Sequence, residues 1–237
     1  MAASPGEVLA HRFFRGTGTT YDSMVNLATF GADRWWKKKI VDRIPAAPRR
    51  VLDQACGTGI LTFKIARRFP ACRTVGVELR EEYIAIARQK DIARPLNNVA
   101  FIIGRAEDVL LNADFDCITS SYLAKYAEIG KLVVNAKRML RKEGLLIVHD
   151  FTYPPGRRFA RLWELYFRLL QTTGSRRYPQ WRTVFYELPQ LLRCTGWVPE
   201  LVETLQSNDF ADITVEPLTL GSSTLVTARK RAPFRIR

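Results

Sequence analysis

Asp53, Gly57 and Gly59 stand in the run Val51-Leu52-Asp53-Gln54-Ala55-Cys56-Gly57-Thr58-Gly59, where an apolar stretch ends in an acid and opens into a glycine turn. Glycine at both turn positions lets the backbone approach a ligand closely, and the free amides of a helix starting behind them can hydrogen-bond it. A dinucleotide fingerprint requires a third glycine, as G-x-G-x-x-G. Here Ile60, Leu61 and Thr62 follow Gly59. The turn therefore suits a small zwitterion better than a pyrophosphate, with Asp53 orienting an amino-acid group directly or through water. Glu78, 25 residues beyond Asp53, closes the next apolar run, where a carboxylate accepts hydrogen bonds from both hydroxyls of a ribose. Gly104-Arg105-Ala106-Glu107-Asp108 follows the third such run and would edge an adenine; residues 116–121 carry a fourth to the cleft. Each signal has an ordinary alternative: a plain strand-to-helix turn for the glycines, a helix cap for Glu78. Four in register converge on one crevice, because ligands of open α/β sheets bind beyond the carboxyl ends of the strands.

The elements that must position these groups alternate. Helices are predicted at 21–27 and 33–44, the second ended by Pro45 and Pro48. Strands are predicted at 50–53, 74–78, 99–104, 115–119 and 145–150. Helices fall between them at 60–69, 81–90 and 129–140, the last closed by Lys142-Glu143-Gly144. Strands separated by helices imply crossover connections and a mainly parallel sheet covered on both faces. A basic, aromatic helix over 157–171 and another over 199–207 follow. Strands at 213–218 and 223–228, joined through Leu220-Gly221, would close a seven-stranded α/β sheet with an antiparallel hairpin. That ending separates a methyltransferase-type, Rossmann-like sheet from a dehydrogenase-type one. The whole chain, 1–237, reads as one domain: a helical N-terminal cap over 1–48, a binding core over 49–150, and a lid with closing strands over 151–237.

The net charge of +14 calls for an anionic partner: nucleic acid, acidic lipid or acidic substrate. The basic residues gather at 34–39, 157–168 and 229–237, interleaved with Trp, Phe or Leu. That interleaving suits an anionic membrane surface better than a nucleic-acid groove. No run is long and apolar enough to span a bilayer, and residues 1–10 lack the pattern of a secretory signal. A cytoplasmic protein with peripheral membrane contact is expected. Cys56, Cys72, Cys117 and Cys194 form no C-x-x-C pair, and His11 and His149 are the only histidines, so no metal site is expected.

Over almost its whole length the chain resembles the ubiquinone/menaquinone-biosynthesis C-methyltransferase family of class I S-adenosylmethionine-dependent enzymes. Tyr21-Asp22-Ser23-Met24 and Phe30-Gly31-Ala32-Asp33-Arg34-Trp35-Trp36-Lys37 follow that family's opening segment. Phe115-Asp116-Cys117-Ile118-Thr119, Met139-Leu140-Arg141-Lys142-Glu143-Gly144 and Asp150-Phe151 also match, as do Pro154, Leu218-Thr219-Leu220-Gly221 and Ala228-Arg229-Lys230. The resemblance implies S-adenosyl-L-methionine as cofactor, with contacts at Thr58, Glu78, Ala106 and Ser121. Together with the motif reading, the expected cofactor set is Asp53, Ala55, Gly57, Thr58, Gly59, Glu78, Leu79, Ala106, Glu107 and Ser121. Two positions depart from the family. An Arg-Asn pair becomes Lys125 and Tyr126, and the acceptor that precedes Ala106 becomes Arg105. A guanidinium accepts no hydrogen bond, so the adenine amino group passes to Glu107 or a backbone carbonyl.

A sulfonium methyl is already activated, so the enzyme mainly positions it in line with its acceptor. A ring carbon attacks when a neighbouring hydroxyl loses its proton, and Asp150, Tyr21, Lys125, Tyr126 and His149 are the candidate groups. His149 and Asp150 alternate on a strand, so only one of them faces the site, and His149 reads more readily as a core histidine. The 157–171 helix reads equally as a lid admitting an isoprenoid tail or as an element packed on the core or on the mate of a homodimer. The reading is C-methylation of a prenylated quinol or a similar lipid-soluble aromatic, with no nucleic acid expected as partner. The alternative is N- or O-methylation of a phospholipid head group or a small aromatic.

Overall fold

The structure, a computed structural model, describes residues 5–231; positions 232–237 of the basic tail lie outside the described residues. Seven strands form one sheet in the order β3-β2-β1-β4-β5-β7-β6. They are β1 (Arg50–Gln54), β2 (Arg73–Glu78), β3 (Val99–Ile103), β4 (Phe115–Ser121), β5 (Leu140–Phe151), β6 (Phe210–Leu218) and β7 (Ser223–Lys230). The first five are parallel, while β7 runs antiparallel to both β5 and β6. The chain winds outward from β1 through β2 to β3, then returns to place β4 on the other side of β1. The crevice opens at that reversal, beyond the carboxyl ends of β1 and β4.

Alternation of side chains along each strand builds two cores. Leu52, Val75, Ile118, Leu146 and Val148 meet Leu132, Val133 and Met139 of α6 (Ile129–Met139) and Leu201 and Leu205 of α10 (Trp197–Ser207). On the other face Val51, Cys117, Ile147 and Leu225 meet Trp36 and Ile40 of α3 (Ala32–Arg43) and Leu61 and Ile65 of α4 (Ile60–Arg68). Burial on both faces explains why these strands read as continuous apolar runs. At the sheet's edge, α5 (Glu81–Ala93) links β2 to β3. The largest boundary difference from the expectation is at the start of β5, Leu140 where residue 145 is predicted. The predicted closing turn at 142–144 lies inside β5, where the register slips between Phe115↔Leu140 and Cys117↔Leu145 and Glu143 takes φ +61°.

A third apolar cluster lies outside the sheet and roofs the crevice. It joins Phe13 of α1 (Pro5–Phe14), Met24 of α2 (Tyr21–Ala28), Tyr126, and Phe185 and Leu188 of α9 (Arg182–Cys194). The predicted helix over 157–171 is α7 (Arg157–Leu169), which passes through a π turn (Leu170–Gly174) into a short α8 (Ser175–Arg177). Within the expected helical cap no separate helix was placed at α1, and α9 was not expected from the sequence. Pro189 inside α9 breaks the helical signal, because proline lacks the N–H that would bond Phe185. The orphaned Phe185 carbonyl instead accepts from the Gln171 side-chain amide at 3.1 Å, a tertiary contact no local pattern reveals.

Candidate functional site

A chamber of about 100 Å³ lies beyond β1, β2 and β4, with Ala55, Gly57, Glu78, Leu79, Ala106 and Ser121 among its walls. Gly57 takes φ +57°, a left-handed turn that points its N–H at Glu78 Oε2, 3.0 Å away. The Arg80 N–H binds the other oxygen, Oε1, also at 3.0 Å. The carboxylate is thus fixed against the chamber with lone pairs to spare for a diol. Burial raises its pKa, and the two N–H bonds work against that rise. The next wall is held by Gln54, whose Nε2 donates to the Ala106 carbonyl at 3.2 Å. Arg105 turns into an acidic cluster, 3.3 Å from Glu107 and 3.9 Å from Glu7. Glu107 therefore shares its carboxylate between Arg105 and the chamber.

Asp53 lies at the end of β1, buried among hydroxyls: Thr62 Oγ1 donates to Oδ2 at 2.6 Å and Thr119 Oγ1 to Oδ1 at 2.9 Å. Desolvation lifts its pKa to about 6 despite both bonds. It borders a smaller pocket of about 20 Å³, which shares Tyr21, Ala55, Gly57, Ser121 and Tyr122 with the chamber. Thr58 is placed elsewhere. Its hydroxyl donates to Asp22 Oδ1, and neither it nor Gly59 lines the chamber. Ser121 Oγ lies 3.0 Å from His149 Nδ1, and Ser223 Oγ lies 2.6 Å from Nε2. Burial drives the His149 pKa well below its ordinary value. His149 is a neutral core histidine bracketed by two serines, with Asp150 on the opposite face of β5.

Next to the chamber lies an apolar cavity of about 640 Å³ between α2, α7 and α9. Phe14, Tyr21, Tyr122 and Tyr126 line both spaces. Lys125, at the cavity wall, donates to Asp150 Oδ1 at 2.6 Å and to the Tyr122 carbonyl at 2.9 Å. The Lys125 backbone N–H donates to Asp150 Oδ2 at 3.1 Å. Burial lowers the lysine pKa while Asp150 holds it up. Burial likewise raises those of Tyr21 and Tyr126 well above the ordinary phenol value, so both remain protonated at neutral pH. Of the five candidate groups, Tyr21, Lys125 and Tyr126 thus line the cavity wall, Asp150 stands behind Lys125, and His149 lies in the core.

Sequence reasoning missed the contributions of α1 and α9. Gly6, Glu7, Ala10, His11 and Phe14 of α1 cover the chamber. A Cβ on Gly6 would lie 1.8 Å from the Tyr126 carbonyl oxygen, so the helix can lie this close only with glycine there. No signal at Gly6 could have shown this, since the contact is with residue 126.

The family model described as the ubiE/COQ5 methyltransferase family matches residues 4–179. The chain is 34% identical over 161 residues to the demethylmenaquinone methyltransferase of Thermus thermophilus, covering 65% of this chain and 72% of that one. It is 28% identical over 223 residues to the ubiquinone/menaquinone biosynthesis C-methyltransferase of Geobacter sulfurreducens, covering 92% and 86%. Its fold is similar to that of an S-adenosyl-L-methionine-dependent methyltransferase structure from Methanococcus maripaludis. The TM-score is 0.68, at 13% identity over the full length of both chains. It is also similar to Haemonchus contortus phosphoethanolamine N-methyltransferase 2 in complex with S-adenosyl-L-methionine, with TM-score 0.62 and 14% identity, covering 83% of this chain and 52% of that one.

Proposed function

The chain belongs to the ubiE/COQ5 methyltransferase family, and from that premise we propose that this S-adenosylmethionine-dependent enzyme C-methylates a prenylated quinol. The observation that carries the substrate is the 640 Å³ cavity beside the cofactor chamber, lined by aromatic and aliphatic side chains with one buried lysine–carboxylate pair. Such a lining accepts a ring with an apolar tail and offers one charged contact to a ring oxygen. A zwitterionic phospholipid head group would find one cation on the lining, with the only nearby carboxylate, Asp150, standing behind it and already bound to it.

The chamber fits the cofactor. Glu78 would meet the ribose diol, the Ala106 turn would border the base, and Asp53 would take the amino-acid end. Bound there, S-adenosylmethionine supplies an electrophilic methyl on its sulfonium. Tyr21 and Tyr126, shared by both spaces, hold the acceptor ring against it. Lys125 faces the acceptor hydroxyl. As it takes that proton it passes one of its own to Asp150, so the ammonium remains beside the phenolate. Electron density on the phenolate oxygen would reach the adjacent ring carbon, where a C–C bond would form as the methyl–sulfur bond breaks and leaves a neutral thioether. The ring C–H proton would then pass to water, restoring aromaticity, and Asp150 would return its proton to the ring oxygen through Lys125. The test is a lipid extract from a deletion strain. A quinone lighter by one methyl is expected, and an unchanged quinone pool would overturn the assignment.

Because the folded Asp53 pKa is raised to about 6, its ionised form opposes folding. That part of the stability is present below about pH 4 and lost as pH rises toward 6. A ligand ammonium selects the ionised form. Cofactor affinity is therefore expected to rise about tenfold between pH 5 and 7, and Asp53→Asn should flatten that profile in calorimetric titrations. The same slope in the variant would assign the titration to another group, such as Glu78.

The cavity mouth also supports membrane docking. Leu162, Leu165 and Leu169 on the outer face of α7 are 63%, 61% and 55% exposed, and Phe30, 79% exposed, packs on Tyr166 beside them. Phe30 and Leu162 also line the cavity. Arg157, Arg158, Arg161 and Arg168 flank the leucines. The 34–39 cluster contributes less: Lys37 pairs with Asp33, Lys38 with Asp42 and Lys39 with Glu216. Apolar side chains ringed by arginine at a cavity mouth suit an anionic bilayer, from which a tailed substrate can enter, better than the mate of a homodimer. Each arginine contributes about 1 kcal/mol near such a surface. Changing Arg157, Arg158 and Arg161 to Gln is thus expected to weaken co-sedimentation with anionic vesicles by about 3 kcal/mol at low salt. Turnover of a short-tailed analogue should survive.

A further inference from the structure

The small pocket beside Asp53 carries a second charge that the cofactor contacts considered so far leave unused. Lys37, on α3, is only 4% exposed, and its side chain lines this pocket together with Asp53, Gly57, Ile60 and Ser121. A buried lysine is uncommon and ordinarily needs both a counter-charge and a full set of acceptors. Asp33, one turn earlier, supplies the counter-charge, and the Tyr122 hydroxyl donates to the same Asp33 oxygen at 2.6 Å. Tyr122 also lies beneath the ammonium, its ring centroid 4.5 Å from Nζ. An ammonium has three donors. Among the described residues Lys37 hydrogen-bonds to Asp33 alone, which leaves two N–H groups for whatever enters the pocket.

The pocket therefore presents a buried carboxylate on one wall and a buried ammonium on another, around a space of about 20 Å³. That volume, open to the cofactor chamber through Ala55, Gly57 and Ser121, admits one or two groups the size of a water. Two opposed charges on the lining of one small pocket suit a zwitterion. We infer that Lys37 anchors the α-carboxylate of the cofactor's amino-acid end, with Asp53 opposite for its α-ammonium. The inference rests on the cofactor reading above and adds to it the residue that distinguishes an amino acid from a simple amine. It also assigns a role to α3: the helix carries the anchoring cation on a rigid element, and Asp33 and Tyr122 hold that cation in place before the ligand arrives.

The test compares binding of S-adenosylmethionine with that of its decarboxylated analogue, by calorimetry on the full chain. Wild type is expected to prefer the carboxylated ligand. Lys37→Met should weaken S-adenosylmethionine binding about tenfold to a hundredfold, the usual worth of a charge-assisted hydrogen bond, and leave the decarboxylated analogue within about twofold. Lys37→Arg should keep most of the preference, which also covers the case in which the methionine variant does not fold. A wild type that binds both ligands equally would overturn the inference, as would Lys37→Met weakening both alike. Either result would leave the cofactor assignment intact. A wild type that binds neither ligand removes the cofactor reading, and this inference with it.

Discussion

Gly57→Val is expected to weaken S-adenosylmethionine binding on the order of a thousandfold, roughly 4 kcal/mol, while circular dichroism shows the sheet still folded. Two effects combine. Gly57 sits at φ +57°, where a β-branched residue is a genuine outlier, and such strain costs about 1–3 kcal/mol. The added Cβ would lie 3.7 Å from Tyr83 and 3.9 Å from Tyr21, so it fits. The two methyl groups beyond it have only the chamber of about 100 Å³ to occupy. Relieving the strain by rotating the peptide would turn the Gly57 N–H away from Glu78 and free the carboxylate it fixes. Gly57→Ala, with strain but no added bulk, should fall between. Calorimetric affinity for the valine variant within threefold of wild type would show that the glycine turn does not contact the cofactor.

Asp150→Ala is expected to lower stability by about 3–5 kcal/mol and turnover by at least about a hundredfold. Asp150 is fully buried and accepts from the Lys125 ammonium, the Lys125 N–H and the Phe151 N–H. Removing one partner of a buried pair leaves the other charge without compensation, which accounts for the size of the loss. Lys125 then sheds its proton instead of keeping it beside a phenolate. The double change Lys125→Met with Asp150→Ala separates the two roles. Most of the stability should return, because the orphaned charge has gone, and turnover should not. Denaturant unfolding and initial rates on the same preparations provide both readouts. A stable double variant with wild-type turnover would remove the pair from the chemistry.

Much of this fold was legible because its signals are local. The run Val51 to Gly59 writes a buried strand, a left-handed turn and a helix start into nine consecutive residues, and Glu78 repeats the strand-end acid one crossover later. Apolar runs in the central parallel strands report burial on both faces, and Leu220-Gly221 marks the closing turn. These features depend on the backbone's own preferences and on which side chains avoid water. They survive without knowledge of the partner.

Partner choice was decided only in three dimensions. Lys125 was one of several candidate groups in the sequence; β5 brings Asp150 within 2.6 Å of it. Lys37 looked like one member of a basic cluster, yet it is buried against Asp33 and faces the glycine turn. Pro189 argued against a helix that Gln171 repairs from a different segment, and Gly6 allows α1 to lie on Tyr126, 120 residues away. The same types of residue are solvated, paired or catalytic according to what the chain folds against them. A charge's role depends on burial and on the counter-charge beside it, and both arise from contacts between segments distant in sequence. From the sequence alone came the chamber's chemistry: acid, glycine turn, acid. The tertiary structure settled which cations face it.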